Sequence, residues 1–273
     1  MSLTPKTGIP AEYIADSSRP FNKQNVLLLS ATVKPPLGMP ALVRTDPAQR
    51  LADYSAALHF YSRLVPHCFD AIVFAENSRS DLSSLKRQAA RDGVEDRVEF
   101  IVFDGLDYPP SHGRGYGEFY LVDYATAHSE LLRSFPHASV WKCTGRYIVR
   151  NIDKIVSSRP ACDLYCHMRN YPYRLCELFL LSWNSRGYES AIRNIYCKLK
   201  NDSIPGVHTI EETIFRELLI QKSADVHIVP RFKVVPLVDG IRGWNNSRYS
   251  EGGWSPKNIT RRVANRVVPW LWI

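Results

Sequence analysis

Several patterns that would assign a class of protein are missing from this sequence. It has no run of about 18 apolar residues and no apolar signal-peptide core at its N-terminus, so we expect neither a membrane-spanning helix nor export. None of its six cysteines forms a Cys-x-x-Cys pair, and their spacing fits no zinc module. Cys162, Cys166 and His167 form a half-site that nothing nearby completes. We therefore expect structural thiols in a reducing compartment and a cytoplasmic protein.

The charge balance predicts an anionic partner. The net charge is +8 and the sequence pI is about 9.2, which favours phosphate-bearing ligands, nucleic acid or an anionic membrane face. The arginines are scattered along the chain, which argues against a dedicated nucleic-acid binder. A hydrophobic content of 45% is ample for a buried core. With no linker or repeat in view, we predict a loose segment over 1–20, one domain over 21–254 and a basic, aromatic tail over 255–273.

That tail has two interpretations. Arg261, Arg262 and Arg266 precede the run 267–273, which contains two tryptophans. Cations beside tryptophans suit peripheral contact with the inner face of a membrane. Alternatively, the tail folds back and covers part of the core.

Strand and helix patterns alternate along the first hundred residues. Apolar runs predict strands over 25–33, 71–75 and 98–103, and amphipathic stretches predict helices over 50–64 and 81–91. This alternation predicts an α/β fold, a mostly parallel sheet flanked by helices in a single domain. Ligands of such sheets bind beyond the carboxyl ends of the strands. Further along we predict helices over 118–135, 188–200 and 210–221 and strands over 138–142, 163–168, 178–183, 226–230 and 232–236.

Two glycine-containing turns carry cations. Gly113–Glu118 precedes the predicted helix over 118–135 and contains Arg114, Gly115 and Gly117, but no Gly-Lys-Ser/Thr or dinucleotide fingerprint. The second turn follows the strand over 138–142 and contains Lys142, Thr144, Gly145 and Arg146. Both turns suit phosphate oxygens, and both are also compatible with ordinary surface turns.

An acidic pair begins the helix over 210–221. Glu212 stands three residues after Thr209, the spacing of a capping box, which gives it a structural explanation. Glu211 has no such explanation beyond the helix dipole. Because a carboxylate at a helix N-terminus is easily kept ionised, either residue could also serve as a general base.

With these elements in order, the chain resembles nucleotide-sugar-dependent glycosyltransferases of the GT-A type, and more closely bacterial enzymes of surface-polysaccharide assembly (lipopolysaccharide O-antigen, capsule or exopolysaccharide). The resemblance covers roughly residues 25–250 and rests on Arg44–Pro47 with Arg50–Tyr54, on Glu76–Ser78, on Gly113–Glu118, on Lys142–Tyr147 and on Glu211 with Glu212.

The resemblance implies a GT-A-like fold, transfer of a sugar from a nucleotide-sugar to a glycan or lipid-linked glycan, and inversion with Glu211 or Glu212 as base. It implies no nucleic-acid partner. It assigns the donor nucleotide and diphosphate to Ser30, Thr32, Lys34, Arg44, Glu76, Asn77, Ser78, Arg114, Gly115, Gly117, Lys142, Thr144, Gly145 and Arg146.

The chain departs from this family at the end of the central strand. Metal-dependent members carry Asp-x-Asp where this sequence has the run from Lys142 to Arg146. We therefore expect no divalent metal and no other cofactor, with Lys142 and Arg146 stabilising the leaving diphosphate. A rival interpretation is a non-catalytic phosphate- or polyanion-binding accessory protein of polysaccharide assembly, and a third is a nucleic-acid enzyme.

Overall fold

The structure is a computed structural model that describes residues 24–40, 42–171, 173–200, 210–243, 245–249, 263 and 267. Its strands are β1 (Asn25–Ala31), β2 (Ala71–Glu76), β3 (Val98–Val102), β4 (Ser139–Thr144), β5 (Ile148–Val149), β6 (Leu164–Tyr165), β7 (Met168–Arg169), β8 (Leu175–Cys176), β9 (Leu180–Trp183), β10 (Ile228–Val229) and β11 (Val238–Asp239). Its α-helices are α1 (Pro47–Ser62), α2 (Ser83–Arg91), α3 (Gly113–His128), α4 (Glu130–Ser134), α5 (Ile152–Ser157), α6 (Ser185–Gly187) and α7 (Ile210–Lys222).

Seven strands form one mixed sheet in the order β10-β6-β9-β4-β1-β2-β3. The pairs β1–β2, β2–β3, β1–β4 and β6–β10 are parallel, whereas β9 runs antiparallel to both β4 and β6. Smaller antiparallel pairs join β5 to β11 and β7 to β8. This arrangement confirms the predicted α/β class with a mostly parallel sheet.

The central strands are buried on both faces. In β1, Leu27 and Leu29 belong to the core that contains the buried side chains of α1, while Val26 and Leu28 belong to the core that contains those of α3. A strand covered by helices on both faces must be apolar throughout, which explains the unbroken apolar run at 26–29.

Helix α1 begins where its sequence predicts. The Asp46 carboxylate accepts a hydrogen bond from the Gln49 backbone N–H at 2.7 Å, and Pro47 occupies the first turn. An N-cap acceptor followed by proline satisfies or removes backbone donors that a helix start leaves unpaired. The side chain of Asp46 therefore fixes the residue at which α1 begins.

Other element boundaries differ from the predictions. Helix α3 begins at Gly113 rather than near Glu118, so the first glycine-containing turn is the start of the helix itself. The single helix predicted over 188–200 is wrong: this segment forms two short helical turns, Tyr188–Ile192 and Ile195–Lys198, interrupted by Asn194 at φ 58°. The strand predicted over 232–236 is also wrong, since the pairing falls at β11 instead.

None of the described helices is long and apolar enough to cross a membrane. In the predicted tail only Val263 and Val267 lie within the described residues, and both are exposed. The membrane contact assigned to 257–273 therefore stays a prediction, as do the domain boundaries. Thr209, the proposed capping partner of Glu212, also lies outside the described residues.

Candidate functional site

A cavity of about 670 Å³ opens at the carboxyl ends of β1 and β4. The strand order reverses between these two strands, because the chain leaves β1 toward β2 on one side while β4 lies on the other. Ligands of open α/β sheets bind at such a point. The register pairs Ser30 with Thr144 at this edge, and both residues line the cavity.

Glu118, in the second turn of α3, lines the cavity. Its Oε1 accepts hydrogen bonds from Ser30 Oγ at 2.6 Å and Thr144 Oγ1 at 2.8 Å, and it pairs with Lys142 Nζ at 2.6 Å. Burial would raise the pKa of this carboxyl, but the Lys142 charge and the three donors outweigh burial and lower its pKa. Glu118 is therefore held as a carboxylate that joins α3 to the ends of β1 and β4.

The two cations of the second turn have different environments. The Lys142 side chain is fully buried and does not line the cavity, since its ammonium group binds Glu118 and donates to the Leu178 carbonyl at 2.5 Å. Arg146 does line the cavity. Its Nη1 donates to the Ile241 carbonyl at 3.1 Å, and its Nε has no hydrogen-bond partner among the described residues. Of the two predicted phosphate ligands, only Arg146 faces the cavity.

The acidic pair occupies the first turn of α7, and both carboxylates line the cavity. Burial raises the pKa of Glu211, and the Arg114 guanidinium, 3.8 Å away, offsets part of that rise. Burial and the Glu211 charge together raise the pKa of Glu212 to about 7. Glu211 Oε1 and Glu212 Oε2 are buried without a hydrogen-bond partner in the part of the chain that the structure describes. Such atoms carry a desolvation cost that a bound ligand could relieve.

The glycines of α3 allow other groups to come close. A Cβ on Gly115 would lie 3.2 Å from the Glu211 side chain, and one on Gly117 would overlap the Tyr108 hydroxyl group. Gly115 thus lets the acidic pair approach the N-terminus of α3, where the backbone N–H groups of Arg114 and Gly115 help to lower the pKa of Glu211. Gly145, beside Ser30, permits a similar approach, since its Cβ would lie 2.8 Å from the Ser30 carbonyl.

The ligand residues predicted at the end of β2, residues 76–78, anchor the neighbouring loops and do not line the cavity. Glu76 is fully buried and accepts from the backbone N–H groups of Val33, Ser78 and Ser80 at 2.9–3.0 Å. Asn77 Oδ1 accepts a hydrogen bond from Thr32 Oγ1 at 2.6 Å. Of these two residues, Thr32 lines the cavity and Asn77 does not.

Two predicted cations also lie away from the cavity lining. Lys34 is exposed, and its backbone N–H donates to Ser78 Oγ at 2.9 Å. Arg44 Nε pairs with Asp53 Oδ2 at 2.6 Å and anchors the segment before α1.

The sequence did not identify several charged residues of the cavity. Arg50 is buried and donates to the Thr32 and Arg44 carbonyls at 2.7 and 2.9 Å. The Arg242 guanidinium lies 4.4 Å from the centre of the Tyr249 ring, a cation–π contact. Arg50 began the predicted helix over 50–64 and belongs to a run on which the resemblance rests, but it was not assigned to a ligand, and no local pattern distinguished Arg242. The lining also includes the ion pair of Arg169 with Glu177.

Across the described residues, no group of three or more His, Cys, Asp and Glu side chains is arranged to hold a metal ion.

No protein-family model matches the chain, and no curated protein matches it. Among solved structures, it is similar to a protein of Desulfovibrio desulfuricans described as a nucleotide-diphospho-sugar transferase, at 10% identity and a TM-score of 0.45, covering 92% of this chain and 99% of that one. A bifunctional glycosyltransferase, WbbM, has 10% identity and a TM-score of 0.42 over 77% of this chain and 39% of its own. A nucleoside-diphosphate-sugar pyrophosphorylase of Vibrio cholerae has 13% identity and a TM-score of 0.41, over 76% and 91%. Because these identities and TM-scores are low, the proposed function rests on the geometry of the site.

Proposed function

We propose that the chain is a glycosyltransferase that moves a sugar from a nucleotide-sugar to a glycan or lipid-linked glycan of surface-polysaccharide assembly. The observation that carries this proposal is the acidic pair: Glu211 and Glu212 each have a buried oxygen that no described residue hydrogen-bonds, in the same cavity as Arg114 and Arg146. A group that accepts a proton and groups that stabilise a leaving anion are the two requirements of sugar transfer from a diphosphate.

Glu212 is the proposed general base. With its pKa raised to about 7, its carboxylate is basic enough to take a proton yet substantially ionised near neutral pH. Glu211 lies closer to the Arg114 guanidinium and supports the raised pKa of Glu212 through its charge. Glu212 Oε2 would take the hydroxyl proton of the acceptor as that oxygen bonds to the anomeric carbon, so the product has the inverted configuration.

The leaving diphosphate takes the electron pair of the broken C–O bond. We assign its charge to Arg146, whose Nε lacks a partner among the described residues, and to Arg114, which lines the same cavity. Lys142 contributes indirectly, since its ammonium group holds Glu118 rather than the ligand. With a guanidinium group beyond β4, the proposed transfer needs no divalent metal.

A thermal-shift panel tests this proposal. Common nucleotide-sugars are added to the purified protein with and without excess chelator. We expect at least one to raise the melting temperature equally in both conditions, and we expect Arg146→Ala to abolish the shift. Arg133→Ala, an exposed arginine away from the cavity lining, is the matched control.

Three outcomes would contradict the proposal. Loss of the shift in chelator with rescue by manganese would reject the metal-independent form. Unchanged function in a Glu211→Gln, Glu212→Gln double variant would favour the non-catalytic polyanion-binding alternative. Release of pyrophosphate from a nucleoside triphosphate and a sugar 1-phosphate would identify a nucleotidyltransferase instead.

A further inference from the structure

The two carboxylate oxygens of Glu118 have unequal surroundings. Oε1 receives Ser30 Oγ, Thr144 Oγ1 and Lys142 Nζ, all within 2.6–2.8 Å. Oε2 has no hydrogen-bond partner among the described residues, and the side chain, 20% exposed, forms part of the cavity wall. Three donors therefore fix the carboxylate through one oxygen and leave the other available to a ligand.

The chemistry of that free oxygen selects its ligand. An ionised carboxylate accepts hydrogen bonds and repels phosphate, so the diphosphate of a ligand should lie toward Arg146 rather than Glu118. The group that fits beside Glu118 is a hydroxyl donor. Because Ser30, Thr144 and Lys142 already satisfy Oε1, a hydroxyl can bind Oε2 without breaking any bond that holds the site together.

We propose that Glu118 Oε2 accepts a hydrogen bond from a sugar hydroxyl of the bound nucleotide-sugar and thereby selects ligands that carry it. This inference rests on the proposed function, since it requires a nucleotide-sugar in the cavity. The hydroxyl belongs to the ribose or to the transferred sugar. Both are polyhydroxylated rings, and binding measurements separate them.

The test compares ligands that differ by one recognised part. Dissociation constants are measured for UDP, 2′-deoxy-UDP and UDP-glucose, and for GDP, 2′-deoxy-GDP and GDP-mannose, with wild type and Glu118→Gln. Loss of a hydrogen bond to a charged group weakens binding by about tenfold or more. If the ribose is recognised, wild type discriminates against the deoxy ligand and Glu118→Gln does not. If the transferred sugar is recognised, the variant loses instead the preference for the nucleotide-sugar over its nucleoside diphosphate.

Two further variants keep the result interpretable. Glu118→Gln leaves the buried Lys142 charge without its partner, so the pair Glu118→Gln with Lys142→Met is measured beside it in case the single variant does not fold. Glu99→Gln is the matched control, because Glu99 also accepts three hydrogen bonds, from Ser129 Oγ and the backbone N–H groups of Glu130 and Leu131, but lies outside the cavity lining. The control should keep the wild-type discrimination.

If the Glu118 variants bind all six ligands more weakly by the same factor, the inference is overturned, since this would indicate a structural role alone. A divalent-cation dependence that disappears with Glu118, or a glycosyl group found covalently on Glu118 by mass spectrometry, would also overturn it. Failure of the proposed function has a different signature: no nucleotide-sugar of the thermal-shift panel would stabilise wild type, and wild type would bind none of the six ligands.

Discussion

The Glu212 carboxyl titrates close to neutral pH, which sets the expected pH dependence of the proposed transfer. Its pKa of about 7 means that the base is protonated, and inactive, in mildly acidic solution. We expect the rate constant of transfer to rise with pH and level off above about pH 8. In Glu212→Gln this rate constant should fall by about 100-fold or more. Rates measured with the stabilising nucleotide-sugar across this range provide the check. A rate that stays level down to about pH 5 would remove Glu212 from the role of base.

The same titration affects the stability of the fold in the opposite direction: ionisation of Glu212 activates the proposed base but destabilises the folded chain. A carboxyl whose pKa rises from 4.5 in the unfolded chain to about 7 in the folded one favours folding when protonated, and this contribution is lost as the pH rises through about 7. Glu212→Gln should therefore gain stability relative to wild type between about pH 5 and about pH 8, by up to about 3 kcal/mol. Denaturant unfolding at both pH values tests this. An inactive variant that is also less stable at the higher pH would indicate misfolding rather than loss of a base.

Neighbouring residues of one turn show how far the sequence could predict the site. Arg146 lines the cavity, whereas Lys142 is buried because Glu118, from an earlier helix, supplies its counter-charge. Nothing within residues 138–147 encodes that pairing. Likewise, the polar run at 76–78 correctly marked a strand end, but Glu76 turns inward to bind loop N–H groups. Residue type predicted polar strand ends, and long-range contacts decided which side chains reach the cavity.

At the scale of elements, the start of α3 depends on glycine at one position in particular. In an open helix Gly→Ala would stabilise the fold by about 1 kcal/mol. Gly117→Ala should instead destabilise it by about 1–3 kcal/mol, because the new methyl group overlaps the Tyr108 hydroxyl group. Adding Tyr108→Leu removes the obstructing atoms and should restore stability, which thermal unfolding of the single and double variants would measure. A stabilising effect of Gly117→Ala alone would show that the Tyr108 hydroxyl group does not obstruct the new methyl group.

Element positions followed from periodicity where the local pattern was strong. The apolar runs of β1, β2 and β3 and the helices between them lie close to their predicted ranges, because buried strands and amphipathic helices have distinct periods. The elements between residues 145 and 200 were harder to predict. Strands of two residues, such as β5 and β8, bury too few side chains to leave a period, and Asn194 breaks a helix that the composition favoured. Tertiary pairing, rather than local preference, determines those short elements.

At the scale of the whole molecule, the cavity joins residues that lie far apart along the chain. Its lining runs from Ser30 in β1 through α3 and α7 to Val238, Arg242 and Tyr249 near the end of the described chain. Arg146 bridges these parts, since it donates to the Ile241 carbonyl. The described residues 235–243 and 245–249 contain little regular structure besides β11, so their backbone should open locally at low cost.

Ligand binding should therefore reduce local opening most strongly at residues 238–243. A diphosphate bound to Arg146 stabilises, by mass action, the conformation in which Arg146 donates to the Ile241 carbonyl. We expect a stabilising nucleotide-sugar to slow amide hydrogen exchange about tenfold at 238–243, with little change in β1, whose amides are already protected inside the sheet. Mass spectrometry of exchanged peptides measures both regions, and Arg146→Ala should remove the effect. Protection confined to the loops after β2 and β3 would place the ligand elsewhere and contradict the bridging role of Arg146.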